Sequence, residues 1–462
     1  MTLIVTSEYT LNRVAVPNLP VAPEAYSAQY ISQLNNVLRL YFNQLNNIVG
    51  QLVASNTEVP ISFPPTALDA FGRQRVSQPY TLFDSQNRYA SDNQFDNSTT
   101  GTGSTTFNTN QASVSMSVTA GGVGSVVRQT YRSFPYQPGK GLLVLATFVM
   151  DSSTSANLTQ RVGYFNSQNG VFFQKLDGTN SFVLRTNTSG TPSDARTVNQ
   201  ADWNGDKLDG TGASGYTLDL THPQILWMDF EWLGVGSVRC GFIIDGQYIV
   251  CHTFNTANTY GTTVYMTTAI LPVRYEITST SALAATLTQI CCSVVSEGGF
   301  EQTSIDHVAR RTTIFTTINT AATFYPIVSI RLASGRTGAV VIPNRVQFLP
   351  TTSQNYEVVL LKNPTLTGAT WAATVPSDSN VEYDVAATAI SAIGTIVQAD
   401  YVTSTGSGGV SETSLPNAYN WDLQLGATIA GVSDIYTLGV RTVSGATTGD
   451  GLGSISFYDL TQ

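Results

Sequence analysis

Charge is the first thing this chain lacks. Only 11% of its 462 residues are Asp, Glu, Lys or Arg, against about 25% in ordinary soluble domains. Thr, Ser, Asn, Gln and Gly fill the place of the missing charge, and such residues suit solvent-facing strands and tight turns. This polar but uncharged bias is shared by extracellular and particle-borne β-proteins. The net charge of −9 is spread along the chain, and no Lys/Arg cluster is present that would track phosphates. Nucleic acid is therefore excluded as a partner. Long apolar runs are missing as well. No stretch approaches a membrane span, and Met1–Glu8 has neither the basic region nor the apolar length of a signal peptide. The expectation is a protein made in a cytoplasm and not inserted in a membrane, one that, where it ends up outside cells, leaves by lysis rather than secretion.

Histidine and cysteine are too few and too scattered for most chemistry. The three histidines, His222, His252 and His307, form no HxxxH, HExxH or Cys/His spacing that suits zinc, and no GxSxG elbow is present. No metal and no cofactor is expected. Of the four cysteines, Cys291 and Cys292 are adjacent and point to opposite faces of any strand. Asp245-Gly246 signals a type I′ hairpin that would set Cys240 directly across from Cys251, beside Phe242 and Ile249, and His252 across from Arg239. Reduced core thiols are the expectation in a reducing cytoplasm. Gly121-Gly-Val-Gly124 has the glycines of a phosphate-binding loop. It precedes a β-like run, Ser125–Arg128, where the dinucleotide motif requires a helix.

What is present is a heptad. Ile31, Leu34, Leu38, Tyr41, Leu45, Ile48 and Leu52 recur with steps of three and four, and Val37, Phe42 and Val49 widen the stripe. Wide stripes favour three or more strands. Arg39 is the only charge between Ile31 and Val53, so shape rather than ion pairing must choose the partner. The stripe needs identical helices or a groove on another protein, the alternative being a helix packed on its own globular domain. Three heptads are short for stable association alone, so a homotrimer would need reinforcement from the domains downstream. Pro17 and Pro20 mark an extended arm before the helix, Pro23-Glu24 opens it, and residues 54–66 read as a stiff linker. Residues 1–55 are thus expected to be an arm and oligomerising helix.

The remainder is mainly β. Alternating runs separated by Gly, Asn and Asp turns predict a large β-sandwich over 56–310, with strands at 142–150, 160–165, 171–175, 181–185, 224–233, 238–244, 247–254 and 273–277. A smaller C-terminal β-sandwich is predicted over 311–462, with strands at 324–332, 338–342, 356–362 and 436–441. Segments 98–109, 187–211 and 403–414 read as loops.

Three constellations merit a chemical reading. Asp202-Trp203-Asn-Gly-Asp206-Lys-Leu-Asp209 supplies oxygen ligands in one compact segment, so Asp202, Trp203, Asp206 and Asp209 are candidate ligand or cation-loop residues; ordinary Asx-turns explain the same pattern. Asp229 and Glu231 lie two apart on a strand with Trp227, an arrangement that suits glycoside hydrolysis. A polar outer face opposite Met228, Phe230 and Trp232 is the alternative. Arg73 and Arg75 alternate with Gln74 and Val76, and would clamp a carboxylate of a neighbouring subunit or simply stay solvated.

Four stretches carry a resemblance: Gln29–Leu45, Asp69-Ala-Phe-Gly-Arg-Gln-Arg-Val-Ser-Gln-Pro-Tyr-Thr-Leu-Phe-Asp84, Phe230-Glu-Trp-Leu-Gly-Val-Gly-Ser-Val-Arg-Cys-Gly-Phe242, and Leu271-Pro-Val-Arg-Tyr-Glu-Ile277. They resemble stretches of virion structural proteins of tailed bacteriophages, of the marine and cyanobacterial phage type. The resemblance implies a virion component with a concanavalin-like sandwich, a fold often used for glycan binding, but supplies no catalytic or sugar-binding set. The expected protein is not an enzyme. It is an oligomeric tail fibre, appendage or tail-associated component, partnered by itself, by other virion proteins and by host-surface polysaccharide. A capsid-decorating protein and a polysaccharide depolymerase are the alternatives.

Overall fold

The computed structural model describes residues 17–21, 24–25, 27–58, 68–69, 72–73, 78–301, 304–373, 379–404, 411–414, 421–444 and 448–461. The chain forms two compact units, Met1–Pro64 and Pro65–Gln462.

Among its described residues the first unit forms one helix, α1 (Ala28–Glu58). Ser27 starts it: its Oγ accepts the Tyr30 N–H at 3.3 Å and its carbonyl accepts that of Ile31 at 3.2 Å. The helix therefore begins beyond the Pro23-Glu24 signal, because a serine that satisfies an orphan N–H is the stronger start. It also runs through residues 54–58, where a linker was expected. No α1 side chain among the described residues is buried. Ile31, Leu40, Phe42 and Leu45 are 39%, 64%, 59% and 40% exposed, and Leu34, Val37, Leu38 and Tyr41 are half-buried. Ile48 and Leu52 lie on the helix, but their side chains, the arm over 1–16 and the linker over 59–67 fall outside the described residues.

The second unit is built from antiparallel sheets. Sheet A follows the order β13 (Gln247–Phe254), β12 (Val238–Ile244), β11 (Gln224–Phe230), β6 (Leu142–Val149), β15 (Ala285–Ser296), β4 (Ser113–Val118) and β3 (Ser104–Asn108), with β1 (Tyr80–Gln86) also on β15. Sheet B follows β10 (Ser193–Asn199), β9 (Thr179–Thr186), β8 (Gly170–Leu176), β7 (Leu158–Phe165), β14 (Val273–Ser279), β5 (Gly124–Thr130) and β2 (Phe95–Gly101). Their inner faces share one core. Val144, Met228 and Phe242 of sheet A meet Val162, Phe173 and Tyr275 of sheet B, and the Phe173 and Phe242 rings cross at 5.3 Å. Strand β8 is buried on both faces because Phe165, Phe172 and Val183 form a second cluster outside sheet B. Arg161 and Arg185 lie over Phe172 at 5.6 and 5.0 Å. Their charges are closed by Glu276 and Asp194 at 3.1 and 2.7 Å.

The second sandwich pairs sheet C, β16 (Asp306–Arg310), β28 (Gly449–Asp459), β19 (Val341–Pro350) and β26 (Ser411–Ser414), with β17 (Phe315–Ile318) also on β28. It faces sheet D, ordered β22 (Ala372–Ala373), β23 (Val381–Asp384), β18 (Tyr325–Leu332), β27 (Ile435–Thr442), β20 (Asn355–Lys362) and β25 (Thr395–Thr403). Phe348, Ile455 and Phe457 pack against Ile330, Tyr356 and Leu438. A small pair, β21 (Thr365–Thr367) with β24 (Ala389–Ala392), covers the outer residues Val359 and Leu361 of β20. Strand β16 precedes the expected boundary at 310 yet pairs with β28.

Three loop expectations are corrected. Segment 98–109 holds the end of β2, paired with β5 in sheet B, and all of β3, paired with β4 in sheet A; 187–211 contains β10, and 411–414 pairs with β19. Strands β2, β3 and β10 are edge strands of mostly polar, half-buried or exposed residues, and their pattern carries little apolar alternation. A further correction concerns the β12/β13 hairpin. Asp245 and Gly246 have φ of 51° and 74°, as the two-residue turn requires, but a bulge follows. Gly241 pairs with Val250 and Cys240 with His252, so Cys251 is the extra residue and Thr253, not His252, faces Arg239. At the kink the Trp227 indole donates to the Ile249 carbonyl at 3.2 Å. A Cβ on Gly241 would come within 1.8 Å of that oxygen, which is why glycine stands there. All four cysteines are free thiols, and burial pushes those of Cys240, Cys251 and Cys292 well up.

Candidate functional site

The structure takes apart the acidic loop as a ligand site. Trp203 is core: it is 2% exposed, its ring lies tilted against Phe182 at 4.7 Å, and it donates its indole N–H to the Val198 carbonyl at 3.2 Å. The loop's carboxylates are turned on their own backbone. Asp206 accepts the N–H groups of Leu208 and Ser214 at 2.9 and 2.7 Å, and Asp209 accepts the Thr211 N–H and hydroxyl at 2.9 and 2.6 Å. Partial burial opposes ionisation of Asp206, but the bonds from Ser214 and Leu208 outweigh it and hold the carboxyl low. Asp202 is exposed in a short 3₁₀ turn. Among the described residues no group of three or more His, Cys, Asp or Glu converges as a metal site.

What the loop does is close an edge. Gly205 and Asp206 donate to the Cys251 and Val250 carbonyls at 2.9 Å each, and Asn204 exchanges two bonds with Thr253. Strand β13, the margin of sheet A, is thereby covered rather than left as a template for pairing. A Cβ on Gly205 would meet the Val250 oxygen at 2.3 Å, so Asn-Gly-Asp is the sequence of an edge cover.

The same cover buries His252. Its Nδ1 accepts the Asn204 N–H at 3.4 Å, its ring meets Phe254 at 4.5 Å, and burial with the nearby Arg196 charge lowers its pKa to about 4. A histidine neutral when folded but titrating near 6.5 when unfolded lets the unfolded chain bind the extra proton between those values. Its contribution is therefore complete above pH 6.5 and falls as pH drops toward 4, by roughly 2 kcal/mol after allowing for residual solvent. Urea melts at steps from pH 7 to 4 should show that slope, and His252→Gln should flatten it.

Asp229 is not a free acid or base. It is fully buried and bonds Arg239 through both oxygens, its Oδ1 accepting the Arg239 Nε–H at 2.9 Å. Trp227 beside it is equally buried, so the expected polar outer face is an interior. Glu231 lies beyond the end of β11, where burial raises its pKa and the Ser237 N–H at 3.4 Å partly offsets this. Arg239 also donates to the Leu68 carbonyl, tying down the chain where it enters the sandwich. There Arg73 is engaged within the chain, its Nε–H donating to Asp69 Oδ2 at 2.7 Å. Arg75 lies outside the described residues.

One cleft stands apart from these satisfied groups. Segments between β5 and β6, after β11, before β14 and after β15 converge with Leu460 and Thr461 around a volume of about 440 Å³. Trp232, Phe300, Ile270 and Leu460 give it apolar walls, and Gln137, Lys140, Thr267, Thr268 and Glu301 give it polar groups. Gln137 pins the Glu301 backbone by donating to its carbonyl and accepting its N–H at 3.0 Å, while Lys140 Nζ donates to Gln137 Oε1 at 2.9 Å. The sequence reading placed Trp232 on an inner face and missed the cleft. Its residues come from five separated segments, and the only local signal was the aromatic and proline density of Pro135-Tyr-Gln-Pro138.

No protein-family model and no curated protein matches the chain. Solved structures similar to about half of it include the Emp47p carbohydrate recognition domain (9% identity, 48% of this chain, 98% of that one, TM-score 0.31). Peanut lectin is similar at 10% identity over 48% of this chain and 98% of that one, with a TM-score of 0.29. The VIP36 exoplasmic/lumenal domain is similar at 11% identity over 49% of this chain and 93% of that one, also with a TM-score of 0.29.

Proposed function

We infer that this chain is a non-enzymatic architectural subunit of a tailed-bacteriophage virion. It assembles as a homotrimer through α1, and its β-sandwiches project as a fibre, appendage or tail-associated domain that meets host-surface polysaccharide. The observation that carries the reading is α1 itself, a 31-residue helix with no buried side chain among those described and an apolar stripe along it. Burying one such Leu, Ile or Phe side chain stabilises by about 1.5–3 kcal/mol. A stripe of this length therefore favours association over solvent. The single charge on its central turns fits a like-with-like seam, since identical helices need no ion pairs to find one another. The four phage-like stretches and the sparse charge support the virion setting.

Mass measurement tests it. The full chain should run at three times its 49.5 kDa mass. The paired change Leu38→Asp with Tyr41→Asp should return it to single-chain mass, or raise the dissociation concentration at least about a hundredfold, since two charges placed in a seam forfeit several kcal/mol. A full-length chain that stays single at micromolar concentration would remove the reading.

A further inference from the structure

We propose that the cleft walled by Trp232 and Phe300 binds a neutral pyranose unit of a polysaccharide. The proposal deepens, and rests on, the reading that the protein meets host-surface glycan. The volume of about 440 Å³ lies within the roughly 300–1,000 Å³ range of small-ligand sites. The wall offers faces rather than donors. The Trp232 indole N–H is used by the Met266 carbonyl at 3.2 Å, its backbone N–H by the Tyr136 hydroxyl at 2.9 Å, and the Tyr136 ring stands edge-on to it at 6.2 Å. Phe300 is braced edge-on by Trp421 at 4.8 Å. Rings fixed in this way present flat apolar surface to the C–H face of a sugar.

The polar groups complement hydroxyls. Thr267 Oγ1 accepts from Asn169 at 2.7 Å and Thr268 Oγ1 accepts the Ile270 N–H at 3.0 Å, so each hydroxyl keeps its proton to donate. Lys140 Nζ gives one N–H to Gln137 and has two more to offer. Its stem lies on Gly298, where a Cβ would come within 2.9 Å of Lys140 Cγ. Glu301 is exposed at the mouth, its backbone fixed by Gln137. One cation and one anion cancel, so the site does not select a polyanion. Spaced donors and one carboxylate acceptor around an apolar wall match a ring of vicinal hydroxyls.

The test uses the full chain labelled with 5-fluorotryptophan. The chain has five tryptophans, and the Trp232 resonance is identified with Trp232→Phe. The probes are the methyl glycosides of glucose, galactose, mannose and N-acetylglucosamine, their linear tetrasaccharides, and polysaccharide extracted from the host. At least one should move the Trp232 resonance while leaving those of the core residues Trp203 and Trp227 in place. Lys140→Ala combined with Glu301→Ala should weaken that binding about tenfold or more at an unchanged melting temperature. Binding that leaves Trp232 unmoved, or survives the double change, overturns the cleft while the glycan reading stands. If no probe binds, both fall, and the trimer test remains independent of either.

Discussion

Asp229→Ala should lower the stability of the β-sandwich unit by about 3–5 kcal/mol, because it breaks a buried ion pair by removing the carboxylate that Arg239 bonds through two of its nitrogens. The Asp229 side chain is wholly inaccessible and that of Arg239 is 10% exposed, so neither has water to fall back on. Arg239 sits on β12 opposite Asp229 on β11, and it also donates to the Leu68 carbonyl at the entrance to the fold. Losing the carboxylate therefore loosens the register of two neighbouring strands of sheet A and the anchoring of Leu68 together. In thermal melts the midpoint should fall by on the order of 10 °C. Asp229→Asn keeps shape and an acceptor but not the charge, and should fall in between. Arg239→Met introduced into Asp229→Ala should recover much of the loss, since a buried pair is costly to break and cheap to replace whole. The same variants decide the question of hydrolysis. A catalytic carboxylate changed to its amide would leave the melt untouched while abolishing turnover, so an unshifted Asp229→Asn melt would refute the structural role.

That pair also shows where the sequence was readable and where it was not. Strands with strong alternation, such as Val238–Ile244 and Gln247–Phe254, have the bounds that their composition predicts. The run Tyr356–Lys362 reads as continuous apolar sequence because both faces of β20 are buried, one against sheet C and one beneath β21 and β24. Alternation alone puts Asp229 outside, because period two reports a face but not what covers it. The cover here comes from Leu68, about 160 positions away in sequence, and from Tyr248 on β13, whose ring meets Trp227 at 5.5 Å. Strands β2, β3 and β10 were hidden for the opposite reason: Thr, Ser, Asn and Asp alternate with one another, and edge strands bury too little to need apolar residues. Trp203 was misplaced because a tryptophan among aspartates reads as a loop contact, whereas a single large ring can dive into the core while its neighbours form the cover over β13. The cleft was illegible for a plainer reason, that five segments from Pro135 to Thr461 converge only in three dimensions.

Arg132→Ala should uncouple the two sandwiches. Arg132 is 7% exposed, and its guanidinium donates to the Trp421 carbonyl and to Gln94 Oε1 while lying 5.2 Å over the Phe83 ring. Burial lowers its pKa, with Asp422 the leading opposing charge, so the surroundings accept the cation without neutralising it. The strap it holds is the chain from Trp421 to Asp434. Along that strap the Trp421 indole donates to Tyr80 at 2.9 Å, Gln424 to the Ser133 carbonyl at 2.8 Å, Ala427 to the Tyr131 carbonyl at 2.8 Å and Ile429 to Asp96 at 2.7 Å. Leu425 donates in turn to the Val341 carbonyl of β19 at 2.9 Å, which carries the connection into the second sandwich. Core residues Val340, Ile342 and Trp421 belong to the first sandwich's hydrophobic cluster, so the interface is apolar at its centre and Arg132 closes its edge. Removing a cation that makes two charge-assisted bonds and one ring contact should cost about 3–5 kcal/mol. Because that loss falls on the joint rather than on either core, calorimetry should show one transition in the parent chain and two in the variant. Asp422→Ala provides the contrast. Its carboxylate is 83% exposed and 3.8 Å from Arg132, so its loss should move the melt by less than about 0.5 kcal/mol. Equal effects from the two changes, or a single transition retained in Arg132→Ala, would mean that the apolar contacts around Trp421 hold the sandwiches together without the arginine.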